Sequence, residues 1–384
     1  MNRATMIARH LARLLVLLAL LPGAVLATVL PEDRADVLYH RYEGGGVTID
    51  GPSVLLRKQV GKSLSLSANY YLDMVSSASI DVVTTASPYT EERKQGSLGA
   101  TYLYGNTLMN VGYTRSDESD YAANSLNFSV SQDLFGQMTT VTLGYALGWD
   151  EVGKSNDPDF RREVDRQQYS LAVTQIVTRS LIMSFAFDAI TDEGFLNNPY
   201  RSVRYLAADQ PAGYQFEPEI YPNTRTSGAG SITARYRMPW RAALHGSYRY
   251  FSDTWGIESH TGEIGYVHPW KHGLTFSTRY RYYTQEQADF YADLFPRSGA
   301  QNFMGRDKEL STFESATIRA GVSWEFVSDG WSVVEKGSLN LFWDRIRFDY
   351  ENFRDLRVSG AAPGEEPLYG FDADVVQLFV SFWF

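Results

Sequence analysis

The chain ends in Val376-Gln377-Leu378-Phe379-Val380-Ser381-Phe382-Trp383-Phe384, nine residues with an apolar side chain at every second position counted back from the last. A strand turns successive side chains to opposite faces, so Val376, Leu378, Val380, Phe382 and Phe384 share one face. Helical spacing does not produce this pattern. Taken alone, the stretch also fits an ordinary core strand that happens to come last, and the segments upstream decide between the two.

Three of those segments repeat the two-residue period. From Ser63 to Met74, Leu64, Leu66, Ala68, Tyr70, Leu72 and Met74 point one way while Ser63, Ser65, Ser67, Asn69, Tyr71 and Asp73 point the other. Val141, Leu143, Tyr145, Leu147 and Trp149 alternate with Thr142, Gly144, Ala146 and Gly148, and Ile318, Ala320, Val322, Trp324 and Phe326 share a face again. An apolar face backed by small and polar residues suits a strand with lipid outside and water inside. A soluble sandwich or propeller, the alternative, would carry charge on its outward faces in place of Leu, Tyr and Trp.

The opposite end of the chain sets the compartment. Arg3, Arg9 and Arg13 precede and flank the apolar run Leu14-Leu15-Val16-Leu17-Leu18-Ala19-Leu20-Leu21; Pro22-Gly23 closes it, and Val25-Leu26-Ala27 supplies small residues for cleavage. Residues 1–27 therefore read as a secretory signal peptide, the run being shorter than the ~20 apolar residues of a membrane-spanning helix. Thr28 would be the first mature residue, so no cysteine stands there for a lipid anchor. With no Cys anywhere, disulfides, thiolate metal sites and thiol nucleophiles are excluded. The formal charge is −10, and removing the three signal Arg makes it more negative, which argues against a nucleic-acid partner. Aromatic residues are abundant, 25 Tyr, 21 Phe and 8 Trp, yet nothing after the signal is long and apolar enough for a membrane helix. An exported chain of this kind fits a barrel whose lipid-facing and lumen-facing residues alternate and dilute each other.

Short turn signals fall at Gly61-Lys62, Gly105-Asn106, Phe135-Gly136, Thr178-Arg179, Pro239-Trp240, Lys271-His272-Gly273 and Asp329-Gly330. Longer polar connections lie near 77–91, 115–120, 150–163, 192–223, 253–257, 287–306 and 349–368. With a first strand near 36–47, a return through 52–60 and a last strand over 370–384, the chain predicts an all-β fold: a transmembrane antiparallel up-and-down β-barrel of about sixteen strands, within a range of fourteen to eighteen. The expected organisation is a signal over 1–27, a short periplasmic segment over 28–35 and one barrel domain over 36–384. Residues 331–348 fit least well. Leu339, Leu341 and Trp343 alternate, but the same parity turns Arg345 and Arg347 outward, so either these clear the membrane or a bulge intervenes.

The inward parity gathers Arg235, Arg237, Arg249, Arg279, Arg281 and Arg319 into a basic ladder facing the lumen, while Asp73, Asp188, Glu263 and Glu325 supply inward acids, partly from other strands. Two readings stand side by side. Separated charges would set a transverse field across an open pore and orient dipolar solutes; paired charges would satisfy one another in a closed lumen. Among His40, His245, His260, His268 and His272, only His245 reads as both inward and mid-strand. With Ser247 or Asp188 it could form a hydrolytic group, but no motif spacing supports this, and a hydrogen-bonded lumen histidine is the plainer reading. The acid-rich stretch Asp150-Glu151 through Asn156, Asp157 and Asp159 lacks the regular spacing of a calcium loop. With no catalytic motif, metal set or phosphate loop, neither enzyme activity nor a cofactor is expected. The longest loop, 192–223, holds Phe195, Tyr200, Tyr205, Tyr214, Phe216 and Tyr221 beside Arg201 and Arg204, and is expected to be ordered, folded into the mouth or over it. Such rings and guanidinium groups either stack on a sugar or other planar solute or pack the loop on the rim.

In its last strand the chain resembles the outer-membrane β-barrels of Gram-negative bacteria, which end in an aromatic residue, usually Phe, preceded by alternating apolar positions. That resemblance implies an assembly signal at Val376, Leu378, Val380, Phe382 and Phe384, with outer-membrane lipid and the barrel-assembly machinery as partners, and both termini periplasmic. A second, wider resemblance runs from about Asp36 to the C-terminus. It rests on Tyr39-His40-Arg41-Tyr42-Glu43-Gly44-Gly45-Gly46-Val47-Thr48, the run Tyr70 to Arg93, Gly148-Trp149-Asp150-Glu151, Ile190 to Tyr205, Tyr250-Phe251-Ser252-Asp253-Thr254-Trp255-Gly256, Arg281-Tyr282-Tyr283-Thr284 and Arg306-Asp307-Lys308-Glu309-Leu310-Ser311. On these phrases the chain resembles the bacterial outer-membrane family known as domain of unknown function 3570, which implies the barrel and its location and supplies no activity or ligand. Most of the phrases fall at outer strand ends and in long loops, so Phe195, Asn197, Asn198, Tyr200, Arg201, Arg204 and Tyr205 are expected to form a surface or gate at the external mouth. The expected function is a porin-like channel for small polar or anionic solutes. The alternatives are a closed barrel acting as scaffold or sheath for periplasmic or surface partners such as redox carriers, and an outer-membrane hydrolase.

Overall fold

The structure, a computed structural model, describes residues 29–77, 89–155, 157–326 and 333–384. The signal segment, the turn at Asp329-Gly330 and most of the 77–91 loop lie outside the described residues. Along the chain run β1 (Arg34–Gly44), β2 (Val47–Val60), β3 (Leu64–Ser77), β4 (Tyr89–Tyr104), β5 (Thr107–Asp117), β6 (Tyr121–Leu134), β7 (Thr139–Val152), β8 (Arg162–Thr178) and β9 (Leu181–Gly194). A small hairpin, β10 (Ser202–Leu206) with β11 (Tyr214–Pro218), interrupts the series. It resumes with β12 (Thr224–Arg237), β13 (Ala243–Asp253), β14 (Glu258–Pro269), β15 (Leu274–Gln285), β16 (Phe313–Phe326), β17 (Lys336–Arg354) and β18 (Leu368–Trp383). Each strand outside the hairpin pairs antiparallel with its neighbours, and β18 closes on β1 from Arg34↔Trp383 to Gly44↔Ala373, so sixteen strands form one closed barrel.

Alternation decides which face each side chain takes. Outward positions such as Leu98 (66 % exposed) and Phe187 (54 %) present apolar groups, whereas the inward Asp344 is 4 % exposed. Two belts of amphipathic rings bound the apolar band. Toward the loop end, hydroxyls on the outer face reach polar acceptors: Tyr39 donates to Asp50 Oδ2 at 2.7 Å and Tyr113 to Asn124 Oδ1 at 2.7 Å, and the indole of Trp343 donates to Asp374 Oδ1 at 3.0 Å. Near the turn end Trp240 Nε1 donates to the Tyr266 hydroxyl at 3.1 Å, with Trp270 beside it on the same rim. On β13 and the turn before it, the outward Tyr250 and Trp240 sit ten residues apart, close to the ~9–11 that a tilted strand uses to cross a bilayer. Rings with an apolar body and a polar tip settle at just such boundaries.

Arg345 and Arg347 lie beyond the upper belt. The β17–β18 register is regular from Lys336↔Trp383 to Asp349↔Gly370 and breaks only between Asp349 and Arg354, so no bulge separates Trp343 from the arginines. Arg345 instead pairs with Asp372 at 2.7 Å and Asp374 at 2.5 Å, and Arg347 with Asp349 at 2.8 Å, in an outward polar collar above the rings. Of the two readings, the first holds: these charges clear the apolar band.

The first hairpin departs from expectation. The expected strands over 36–47 and 52–60 leave 48–51 for the turn, but the chain turns at Gly45-Gly46, both at positive φ (59° and 79°). Two successive left-handed residues are what a two-residue hairpin demands, and glycine adopts that conformation without strain. Gly51 and Pro52 therefore lie inside β2, where the ladder to β3 passes from Asp50↔Met74 to Ser53↔Tyr71 without pairing them. Pro52 has no N–H to give. β1 also begins at Arg34, two residues ahead of the expected boundary, and the segment before it is fastened to β2: Asp33 accepts from Gln59 N at 2.5 Å and pairs with Lys58 at 2.5 Å.

The closing strand leads to a paired prediction. Leu378, in the outward apolar band of β18, should lose ~2–4 kcal/mol of folded stability on substitution by Arg, whereas Arg at Phe382, near the turn-end rim, should cost only ~0–1 kcal/mol. If Phe382 and Phe384 are read during assembly, F382R or deletion of Phe384 will nevertheless lower outer-membrane insertion more than L378R does. Heat-modifiable gel mobility of the inserted barrel, together with denaturant titration, separates the two effects.

Candidate functional site

Register places the inward charges in rows perpendicular to the strands. One row runs Arg235↔His245↔Gly265↔Arg279↔Arg319↔Asp344 across β12 to β17. The His245 ring covers Gly265, where a Cβ would meet ring atoms at about 2 Å. One row toward the loop end stand Ser247, Glu263, Arg281 and Thr317; the next contains Arg249, Thr261, Tyr283, Ser315, Phe348 and Phe371. The basic ladder is therefore contiguous, but its acids stand within it and pair laterally. Glu263 binds His245 Nε2 at 3.1 Å and Arg279 at 3.5 Å; Asp344 binds Arg319 at 2.5 Å and Arg279 at 4.0 Å. A wall of basic charge with acids elsewhere is thus corrected to a wall whose lower row is partly neutralised in place. Among the described residues no carboxylate reaches Arg235, Arg249 or Arg281 within ion-pair distance. Arg249 and Arg281 lie against Phe251 and Tyr283, each about 5.6 Å from the ring centre.

The other inward candidates scatter. Arg237 lies exposed at the turn end, and Glu325 pairs there with Lys336. Asp188 accepts from Gln168 at 3.3 Å, so neither it nor Ser247 is the partner that His245 takes. Asp73 pairs with His40 Nε2 at 2.9 Å, with the Tyr71 hydroxyl 3.2 Å from the same nitrogen. His40 is thus a second inward, mid-strand histidine, on β1, which corrects the expectation that only His245 is both. Asp150 lies in β7 rather than a loop and pairs with Arg166 at 2.9 Å, while Glu151 pairs with Arg161. Asn156 is outside the described residues.

Over the loop end, three connections interlock. The long connection expected over 192–223 to be ordered contains the hairpin β10–β11 and bridges to the β15–β16 connection at Tyr205↔Phe295 and Ile220↔Met304. Val203, Phe295 and Met304 form a small buried core between them. Beside it Arg204, wholly buried, donates to Glu366 Oε1 at 2.6 Å and Oε2 at 3.0 Å, and to both the carboxylate and the carbonyl of Asp293; Arg306 reaches Asp293 Oδ1 at 2.9 Å. The expected gate residues all fall in this assembly. Phe195 meets Phe160 edge to face at 5.4 Å; Asn197 donates to Glu219 O at 2.7 Å; Asn198 caps Tyr200 N at 2.9 Å; Arg201 pairs with Asp307 at 2.5 Å; Tyr205 donates to Gln215 at 2.8 Å. Tyr200 reaches the β5–β6 and β7–β8 connections, donating to Asp120 and accepting from Ser155 N at 2.7 Å. Asp293, Glu366, Asp307 and Glu219 were not singled out from sequence, although Arg306-Asp307 stands in a phrase of the family resemblance.

Below the loop segment 307–310 lies a cavity of about 770 Å³ against the lumen wall. A continuous strip of rings forms its floor. Tyr283 meets Phe313 at 5.5 Å, Phe313 meets Tyr350 at 5.2 Å and Phe348 meets Phe371 at 4.6 Å. Arg225 and Arg249 border the strip on the β12–β13 side. Arg225 is already engaged, bound to Asp253 at 2.5 Å and lying 4.6 Å from the Trp255 ring centre.

The loop carboxyls make the assembly sensitive to pH. Burial pushes Asp307 up to about 7 against the pull of Arg201, and burial also raises Glu219 against hydrogen bonds from Tyr221 and Arg306. For Glu366 burial acts in the same sense, but hydrogen bonds from Arg204 outweigh it and hold the carboxyl below its ordinary value. A carboxyl whose folded value is raised favours the folded loop while protonated, and loses that contribution as pH climbs from its ordinary value through the raised one. Between pH 5 and 8 Glu366 stays ionised while Asp307 titrates. Amide-exchange protection of residues 291–306, corrected for intrinsic rate, should therefore fall from pH 5 to pH 8, and Asp307→Asn should flatten the dependence.

Comparison with solved structures finds outer-membrane barrels. A bacterial polysaccharide outer membrane secretin is 8 % identical, with 92 % of this chain and 99 % of that one covered and a TM-score of 0.47. Outer-membrane expressed OmpT of Vibrio cholerae is 9 % identical over 94 % and 100 %, at 0.44, and a Pseudomonas aeruginosa FadL homologue 8 % identical over 92 % and 91 %, at 0.44. At such identities the likeness extends to the barrel architecture alone. No curated protein matches the chain. The family described as protein of unknown function DUF3570 matches residues 20–334, and the chain belongs to that family.

Proposed function

We propose that this outer-membrane barrel is a gated, porin-like channel for small anionic solutes, set in the outer membrane of a Gram-negative bacterium with the chain termini and short turns on the periplasmic side. Carrying the reading is the placement of Arg249 and Arg281: two inward cations with no carboxylate in reach among the described residues, one bordering the cavity beneath the loops and the next a row further down the lumen. A positive field at that level draws anions, and the neutralised row of Arg279 and Arg319 below it binds them less tightly. The interlocked loops supply the gate, with the Tyr200 contact to Asp120 and Ser155 as its exposed edge. In its final strand the chain carries what the assembly machinery would read.

A second reading rests on the same loops. Three connections knitted through a wholly buried arginine also suit a permanently closed barrel serving as a scaffold for periplasmic or surface partners, redox carriers among them.

Purified protein in planar bilayers separates the two. The channel should conduct with anion preference, Tyr200→Phe should raise its open time, and Arg249→Ala with Arg281→Ala should shift the reversal potential toward non-selective conduction. A wild-type barrel and a Y200F variant that are both silent, together with a stoichiometric co-purifying protein, would replace the channel with the scaffold.

A further inference from the structure

The cavity below the loops is polarised in a way that specifies a ligand. One row of the wall holds Arg249 on β13, Tyr283 on β15, Phe348 on β17 and Phe371 on β18; the adjacent row adds Phe313 and Tyr350. With neighbouring strands ~4.8 Å apart, the row from β13 to β18 spans roughly 24 Å around the wall. The cation stands at one end of this span and the fused ring strip occupies the other. Arg225, the second arginine at the border, is held by the wholly buried Asp253 carboxylate and covered by Trp255, so its charge is already answered. Arg249 lies over the Phe251 ring, 5.6 Å from its centre, and meets no carboxylate among the described residues.

We infer that this cavity binds an organic anion with a planar aromatic body, its carboxylate on Arg249 and its rings on the Tyr283–Phe313–Phe348 strip. A guanidinium fork presents paired N–H donors to a carboxylate, and in a partly desolvated site such a charge-assisted contact is stronger than a neutral one. Offset or edge-on ring contacts reward a planar aromatic body beyond its buried area, which an aliphatic chain of equal size does not gain. The size fits, since ligand sites commonly enclose ~300–1,000 Å³. A sugar fits the lining less well: besides the tyrosine hydroxyls the wall offers Ser259, Gln285 and the Trp255 indole, which already donates to Thr224 O, while Asp307, Lys308 and Glu309 lie on the loop above, and rings dominate the floor.

This assignment deepens the channel reading and shares its cavity, but equilibrium binding without a gradient stands or falls separately from conductance. The test is isothermal titration of the full barrel in lipid nanodiscs, which avoids detergent in the cavity, with naphthalene-2-carboxylate, its neutral alcohol naphthalene-2-methanol, and decanoate. Naphthoate should bind most tightly. Arg249→Ala should weaken it at least tenfold while leaving the alcohol unchanged, Arg249→Lys should restore part of the loss, and Phe313→Ala with Phe348→Ala should weaken acid and alcohol alike. Equal binding of decanoate and naphthoate would overturn the aromatic assignment. Unchanged naphthoate affinity in R249A would overturn the role of Arg249, and absence of binding in both wild type and the loop-loosened Y200F would overturn the site. Naphthoate binding in a barrel that never conducts would leave this site standing and remove the channel alone.

Discussion

A backbone N–H or C=O that meets hydrocarbon unpaired costs several kcal/mol, and everything in this molecule follows from avoiding that. The pairing of β18 with β1 leaves the sheet no edge, and closure in turn forces every strand to present one face to lipid and one to the lumen. That single constraint explains why Leu378 faces lipid, and why Arg319 two strands away faces the lumen and is paired with Asp344. One irregularity lies inside β2. Pro52 cannot donate, and the β2–β3 ladder leaves Gly51 and Pro52 unpaired, with Gly51 on the inner face beside the buried His40–Asp73 pair.

Over the loop end the constraint is different, because there water is available and order must be made by side chains. The loops are held by a cluster of opposite charges around a guanidinium with no exposure at all. Such a cluster is weak evidence for stability, since desolvating the ions offsets most of their attraction; its value lies in geometry. Arg204 has donors for Glu366 and Asp293 at once, and these residues come from three separate connections, so only one arrangement of the three satisfies it. Losing a single member would leave an uncompensated buried charge, at a cost of about 3–5 kcal/mol. Small apolar cores flank the cluster on both sides and supply the burial that the ions do not.

How far the sequence could be read follows from the range of each signal. Period-two patterning is local, so the strands, their number and the inward parity of Arg279, Arg281 and Arg319 were all readable from it. Turn chemistry is local too, but it competes: Gly51-Pro52 and Gly45-Gly46 both signal a turn within a few residues, and the pair with two left-handed glycines prevailed. Asp344 is turned inward, opposite Arg319, by the very parity that turns Arg345 outward. What lay out of reach were partners distant in sequence. Nothing near Arg204 points to Glu366, 162 residues away, and whether Glu263 faces Arg279 or an open lumen depends on side-chain reach, which register alone does not settle.

The lumen charges and the cavity are best understood as one gradient. Reading down β13 to β16 from the loops, Arg249 and Arg281 meet no acid among the described residues, Arg279 shares Glu263 and Asp344 with its neighbours, and Arg319 is held in a two-point contact by Asp344. On this part of the wall attraction for an anion is therefore greatest beneath the loops and declines toward the row of Arg279 and Arg319, while Arg235 at the β12 end of that row stays unanswered among the described residues. A solute path needs binding firm enough to draw the solute in and weak enough beyond that point to release it. Uniformly bare arginines would hold an anion along the whole wall, and uniformly paired ones would never collect it. Interleaving Glu263 and Asp344 below Arg249 yields a directional slope without any moving part, and on the proposed channel reading it leaves the loops the separate task of deciding when the steep end is open.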